Sequence, residues 1–196
     1  RIYEGTNEIN RMLSVGMLIK KAFKGHVDLL GPATKVQEEL MGIPSFDTPD
    51  YSELFAEEKE MIAKLKKAFL MVAGGAVQKY GPELDGHQQL LMAAADILIE
   101  IYMAESTILR TEKLAKKEGE SKVPEQIAMA KLYLYKAVDI VTQKGKESII
   151  SFAEGDEQRM MLMGLRRFTK YTNMPNIVGL RETITTKLVA ENAYCF

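Results

Sequence analysis

The sequence predicts an all-α fold: an up-down helical bundle of long antiparallel helices, followed by shorter C-terminal helices. Apolar residues recur with helical periodicity along most of the 196 residues, and the alternation typical of β-strands is nearly absent. Three successive amphipathic segments of roughly thirty residues each are joined by short connections, which place neighbouring helices antiparallel. The composition, 46% hydrophobic and 27% charged, allows a packed core and argues against extensive disorder.

The first helix is expected to begin at Thr6 and to continue to about Phe23. Threonine is a favoured N-cap residue, and Glu8 places a negative charge in the electropositive first turn. The apolar positions of this helix are Ile9, Met12, Leu13, Leu18 and Ile19. A shorter helix is expected after Pro32, and a loop should follow it. The apolar residues of the shorter helix are Val36, Leu40 and Met41, and the loop residues include Pro44, Ser45, Asp47, Thr48 and Pro49.

The second long helix is predicted to begin near Asp50, because Glu53 stands three residues later in the spacing of a capping box. It should end at Gly81-Pro82, where glycine can cap a helix and proline cannot continue one. Gly74-Gly75 lies inside the helical pattern, and we favour close contact with a crossing helix there over a hinge or the approach of a cofactor. The apolar stripe of this helix comprises Leu54, Met61, Ile62, Leu65, Phe69, Val72 and Ala76.

Two more long helices are predicted, from about Asp85 to Lys117 and from Pro124 to a break at Gly155-Asp156. The inward residues of the first are Leu91, Ala94, Leu98, Ile101 and Ile108. Those of the second are Ile127, Ala130, Leu134, Ala137, Val138, Val141, Ile149 and Phe152. Two shorter helices should follow. One carries Met160, Met163 and Phe168, and the other, after Asn173-Met174-Pro175, is built on Leu180, Ile184 and Leu188.

Charge and residue spacing argue against several classes of function. The formal net charge is -1 and the pI is near 6.2, whereas proteins that bind nucleic acid usually concentrate Lys and Arg. The two histidines, His26 and His87, are far apart in the chain, so we expect no metal site. Cys195 is the single cysteine, which excludes an intramolecular disulfide and fits a reducing compartment.

No apolar stretch predicts a membrane span. The longest, Leu90 to Tyr102, is interrupted by Asp96 and Glu100 and falls short of the about 20 apolar residues that a bilayer requires. The methionine-rich run from Met160 to Met163 favours core packing, with a membrane or partner surface as the alternative. Basic residues that could face anionic lipid near this run are Arg166, Arg167 and Lys170.

The first residues of the chain form its most specific motif. Residues 1–11 read Arg-Ile-Tyr-Glu-Gly-Thr-Asn-Glu-Ile-Asn-Arg, with neither an initiator methionine nor a secretory signal, so a piece of a longer chain is the simplest expectation. This run resembles the C-terminal signature of acyl-CoA dehydrogenases, (Ile/Phe)-(Tyr/Phe)-Glu-Gly-Thr-(Asn/Ser)-(Glu/Asp/Gln)-Ile-x-Arg. The helical remainder resembles, more loosely, the extra domain of very-long-chain members. The resemblance divides the chain into the end of a catalytic domain (1–25), a connecting segment (26–50) and a C-terminal helical bundle domain (51–196).

The resemblance also implies roles for individual residues. Glu4 matches the general base that removes the α-proton of an acyl-CoA thioester, a weak acid that needs a positioned base. Tyr3 and Gly5 match positions beside the substrate. The residues that match the turn touching FAD are Thr6, Asn7 and Glu8.

The implied parent is a flavoenzyme that produces trans-2-enoyl-CoA in fatty acid β-oxidation and passes electrons to an electron-transfer flavoprotein. The resemblance implies a homo-oligomer in the bacterial cytoplasm or the mitochondrial matrix, with membrane association left open. The 196 residues alone are expected to be inactive and to hold no FAD. Two alternatives are kept: a non-catalytic helical module for dimerisation or membrane association, and an acyl-CoA oxidase.

Overall fold

A computed structural model describes residues 3–42 and 50–196, and within these residues it contains α-helices and short 3₁₀ segments but no β-strand. The all-α prediction is therefore confirmed. The predicted loop residues Pro44 to Pro49 lie outside the described residues, as do Arg1 and Ile2. The helices of the described part are α1 (Asn7–Phe23), α2 (Leu30–Met41), α3 (Ala56–Tyr80), α4 (Gln88–Glu118), α5 (Pro124–Phe152), α6 (Gly155–Phe168) and α7 (Ile177–Glu191).

Helices α3, α4 and α5 form the centre of the bundle. Lys59 of α3 bonds Glu112 of α4 at 2.8 Å, whereas Lys66 bonds Glu105 at 2.6 Å, so the two helices run antiparallel as predicted. Helix α5 packs against both of them and buries nearly the whole predicted stripe of its inward face. The most completely buried large side chains include Met61, Leu65, Ile97, Ile108, Leu134, Val141 and Ile149.

Glycines allow α6 to approach the central helices closely. A Cβ on Gly75 of α3 would lie 2.8 Å from Met161 Cε and 3.0 Å from the Phe152 ring, and a Cβ on Gly145 of α5 would lie 2.9 Å from Leu165. Close contact with a crossing helix is thus confirmed as the reason for Gly75. Gly74 faces the other way, with the Ala33 methyl at an ordinary 3.7 Å from an added Cβ.

The predicted start of the second long helix was wrong. Helix α3 begins at Ala56, and Asp50 instead accepts a hydrogen bond from the Ser52 backbone N–H at 2.9 Å in a local turn. Phe55 precedes the helix with a left-handed backbone (φ 63°) and a buried side chain. The burial of this ring sets the helix start, and it leaves Leu54, which we expected inside the helix, in the preceding turn.

The other helix starts differ less from prediction. Helix α4 begins at Gln88, not Asp85, because a 3₁₀ segment (Gly81–Gly86) intervenes, and Gly81 caps α3 as expected with φ 50°. Helix α2 begins at Leu30, two residues before Pro32.

The sequence predicted the buried residues of the outer helices less accurately than those of the core helices. In α1, Ile9 and Leu13 are 52% and 56% exposed, and Val15 is the buried residue. In α6, Met161 is buried while Met160 and Met163 are exposed. An outer helix contacts neighbours on a narrow strip, so an apolar stripe alone does not tell which of its residues are covered.

None of the helices in the described part of the chain combines the length and the apolar character that crossing a membrane requires.

The two adjacent glycines of α3 offer a matched stability test. Gly74→Ala should stabilise the fold by about 0.5–1 kcal/mol, because alanine favours the helix and its methyl group has room. Gly75→Ala should destabilise it by about 1–2 kcal/mol, because the added methyl group overpacks against Phe152 and Met161. Urea unfolding of both variants measures the difference, and equal shifts in the same direction would contradict this packing.

Candidate functional site

The residues assigned to substrate and cofactor by resemblance form a tight turn before α1. Glu4 and Gly5 both have positive backbone φ angles, 61° and 96°. Glycine adopts such angles freely, but for glutamate the left-handed region costs about 1–2 kcal/mol. Non-glycine residues held in this region cluster at functional sites, and among the described residues Glu4 shares it with Phe55 and Asn192, so the conformation supports the motif without assigning a role by itself.

The turn presents its side chains to the surface of the described structure. Tyr3 is 95% exposed, and Glu4 is exposed as well. An added Cβ on Gly5 would lie 3.0 Å from Asn10 Oδ1, so this position favours glycine on contact grounds as well as on backbone angle. The turn therefore offers a free carboxylate beside backbone that a ligand can approach closely.

Three hydrogen bonds fix this turn to α1. The Ile9 backbone N–H donates to Thr6 Oγ1 at 3.3 Å, which confirms Thr6 as the N-cap. The Asn10 backbone N–H donates to the Thr6 carbonyl at 3.0 Å, and Asn10 Nδ2 donates to the Gly5 carbonyl at 3.4 Å. Asn7 and Glu8 form the first turn of the helix, with both side chains exposed. The direction of the turn thus follows the direction of α1.

An ion pair joins α1 to the centre of the bundle. Arg11 Nε donates to Asp96 Oδ1 of α4 at 2.6 Å, across 85 residues of sequence. In the sequence, Arg11 stands out only as the last residue of the motif, and Asp96 only as an interruption of an apolar stretch. Asp96 is one of two carboxylates, with Glu100, within the mostly apolar stretch from Leu90 to Tyr102, and an acid in such a stretch was the signal that could have suggested a partner.

An apolar cavity of about 300 Å³ lies between the first four helices, away from the turn. Side chains of every one of these helices line it, so no single stretch of sequence could have indicated it. Its walls are almost entirely apolar, with Thr34, Gln37 and Gln78 among the few polar residues. Apolar lining residues include Val15, Ile19, Ala33, Phe69, Gly74 and Leu91.

Two of the remaining candidates for chemistry, His87 and Arg167, are engaged in structural contacts. His87 stacks on Tyr80 with ring centroids 3.6 Å apart, and no three potential ligand side chains group together within residues 3–42 and 50–196. Arg167, considered for lipid contact, donates to the Glu39 carbonyl at 3.3 Å. Arg166 and Lys170 remain exposed.

Comparisons with known proteins all point to one family. A family model described as acyl-CoA dehydrogenase, C-terminal domain, matches residues 64–167. A probable acyl-CoA dehydrogenase of Bacillus subtilis (strain 168) is 38% identical over 191 residues, which cover 97% of this chain and 32% of the relative. The crystal structure of an acyl-CoA dehydrogenase complexed with FAD from Bacillus anthracis matches with a TM-score of 0.91 at 38% identity and covers 100% of this chain. The present chain spans 32% of the length of that protein too.

The N-cap hydrogen bond of the turn can be tested by amide hydrogen exchange. Thr6→Ala removes the acceptor for the Ile9 N–H and should cost the first turn of α1 about 1 kcal/mol, so amides at this end should exchange roughly fivefold faster. Thr6→Ser keeps a hydroxyl and should leave exchange near the wild-type rate. Equal exchange in the two variants would show that the hydroxyl does not hold this turn.

Proposed function

Because this chain belongs to the acyl-CoA dehydrogenase family, we propose that it is the C-terminal part of a FAD-dependent acyl-CoA dehydrogenase and supplies that enzyme's catalytic base. The reaction is the α,β-dehydrogenation of an acyl-CoA thioester to a trans-2-enoyl-CoA, as in fatty acid β-oxidation. The chain spans only 32% of its relatives' length, so we propose activity for the whole protein and none for the 196 residues alone.

Glu4 is the residue that removes the α-proton in this proposal. The observation that carries it is an exposed carboxylate on a left-handed turn, directly before a capped helix. A thioester α-proton is weakly acidic, and a positioned base typically accelerates its removal by about 10²–10⁴-fold. The turn supports such positioning because its backbone is held by Thr6 and Asn10 while the Glu4 side chain remains free.

The neighbours of Glu4 suit contact with the substrate. Gly5 has no Cβ, so the thioester can approach the backbone at this point. Tyr3 has an exposed aromatic ring that can cover the acyl chain next to the reacting carbon and exclude water from it. The Tyr3 ring is not used in packing the described bundle, so it is available to a ligand.

The residues that follow are suited to a flavin. When bound, FAD supplies the acceptor for the hydride that leaves the β-carbon. Thr6, Asn7 and Glu8 would contact it in this proposal. They fit that role because they form an exposed helix N-terminus, where backbone N–H groups that the helix leaves unpaired can serve as donors.

The remaining helices support this turn and offer surfaces to partners. In this proposal the enzyme is a bacterial cytoplasmic homo-oligomer that passes electrons to an electron-transfer flavoprotein.

An acyl-CoA oxidase is the related alternative. The motif from Tyr3 to Arg11 favours the dehydrogenase, and electron transfer to oxygen in place of a dye or flavoprotein acceptor would favour the oxidase.

Replacement of the proposed base tests the function directly. In the whole protein, Glu4→Gln should lower dye reduction by acyl-CoA by about 10²-fold or more, because the amide cannot accept the α-proton. Glu83→Gln, which changes an exposed carboxylate in the 3₁₀ segment after α3, is the matched control and should keep wild-type turnover. The assignment fails if Glu4→Gln binds FAD normally and turns over at close to the wild-type rate.

A second candidate function is a non-catalytic helical module for dimerisation or membrane association. It is favoured by apolar side chains that are exposed on α1 and α2, including Ile9, Leu13, Met17, Phe23 and Leu30.

This second function has a separate test in the 196-residue chain. If it is the complete function, the chain should self-associate in sedimentation velocity or pellet with anionic phospholipid vesicles, because burial of these side chains drives association. Its failure to do either would remove this candidate.

A further inference from the structure

We propose that Asp96 is a positioning residue for the reaction: it holds Arg11 and thereby fixes the direction in which α1 presents the Glu4 turn. The inference rests on the proposed function, since it concerns how Glu4 is aimed. It gives the helical bundle a defined part in catalysis, because Asp96 lies within the bundle while Glu4 precedes it.

The contact has the geometry of a strong, directional bond. Arg11 Nε and Asp96 Oδ1 are 2.6 Å apart, and the side chains of the two residues are only 33% and 27% exposed. Charge-assisted hydrogen bonds at such distances are stronger than neutral ones, and partial burial reduces their screening by salt. Lys144 of α5 lines the same surface pocket as Asp96, and its ammonium group is paired with Glu147 at 3.3 Å.

In the part of the chain that the structure describes, apolar packing anchors the start of α1 only through Met12. Ile9 and Leu13 are more than half exposed, whereas the buried Val15 lies farther along the helix. Within the described residues, Arg11–Asp96 is the one ion pair that joins α1 to another helix. The half of α1 next to the turn is therefore held by this pair and by the partly buried Met12.

Helix α4 is a firm base for this contact. The residues on either side of Asp96 in sequence, Ala95 and Ile97, are almost completely buried. Helix α4 also packs against α1, α3 and α5, so its position is fixed from several sides. Asp96 cannot shift without displacing the core, and its carboxylate is thus a fixed reference point for Arg11.

A change at Arg11 is transmitted to Glu4 through the helix. Thr6 lies five residues earlier, about 7–8 Å along the axis at 1.5 Å per residue. The Thr6 cap and the bond from Asn10 to the Gly5 carbonyl then tie the turn to the helix. A small tilt of α1 therefore moves the carboxylate, and a displacement of about 1 Å at a reacting group can cost roughly 10²-fold in rate.

The test compares kinetics with stability in the whole protein. Asp96→Asn should lower kcat by roughly 10–100-fold, while KM for acyl-CoA, FAD content and Tm stay near wild type. Asp96→Glu keeps the charge and should restore most of the rate. Glu105→Gln, which breaks a 2.6 Å pair between α4 and α3, is the matched control and should keep wild-type kcat.

A double-mutant cycle distinguishes positioning from separate effects. Arg11→Gln should reproduce the loss seen with Asp96→Asn, and the double variant should lose no more than either single variant, because both changes break one contact. If Asp96→Asn does not fold, the kcat of Arg11→Gln tests the inference in its place. The inference is overturned if kcat is unchanged, if FAD content and Tm fall in proportion to kcat, or if the two losses multiply. Wild-type turnover in Glu4→Gln would instead overturn the proposed function, so the two failures are distinct.

Discussion

The burial of one apolar face from each of α3, α4 and α5 is the constraint on which the rest of this structure depends. These three helices supply most of the fully buried large side chains of the core, and every other helix packs against at least one of them. Such interiors are packed as densely as organic crystals, so the positions of α3, α4 and α5 are mutually determined. An element that is attached to this centre at two or more points acquires a fixed orientation there.

Helix α1 is attached in this way, and the turn before it carries Glu4, the proposed base. Its later half enters the core at Val15, and its first half is joined to α4 through Arg11 and Asp96. A turn at the edge of a rigid bundle can present a carboxylate that is accessible to a ligand and also fixed in direction. The left-handed backbone of Glu4 is tolerated because Thr6 and Asn10 hold the residues that follow it.

The fold class and the core helices could be predicted because their signals are local and repeated. The stripe on α5 comes from one face that is buried along its length, so periodicity alone identified residues such as Leu134 and Val141. The start of α3 could not be predicted, because the burial of Phe55 by distant residues outweighed the local capping pattern at Asp50. Long-range packing decided that boundary.

The residues of the candidate site also fall into those that local sequence predicts and those that it does not. Resemblance assigned roles to Tyr3 through Glu8, and capping rules predicted Thr6, because both depend on adjacent residues. The Arg11–Asp96 pair spans 85 residues, and nothing local to either side chain specifies the other. The roles of Tyr3, Glu4 and Gly5 in catalysis stay predictions. The exposure of Tyr3 and Glu4 is compatible with them.

The 300 Å³ cavity between the first four helices has a mechanical consequence. Unfilled volume that is lost on unfolding makes proteins sensitive to hydrostatic pressure, and this apolar space lies beneath α1 and α2. Compression should therefore loosen these two helices before it disturbs α5, whose inward face is closely packed. The end of the molecule that bears the proposed base is thus the end that pressure should disturb first.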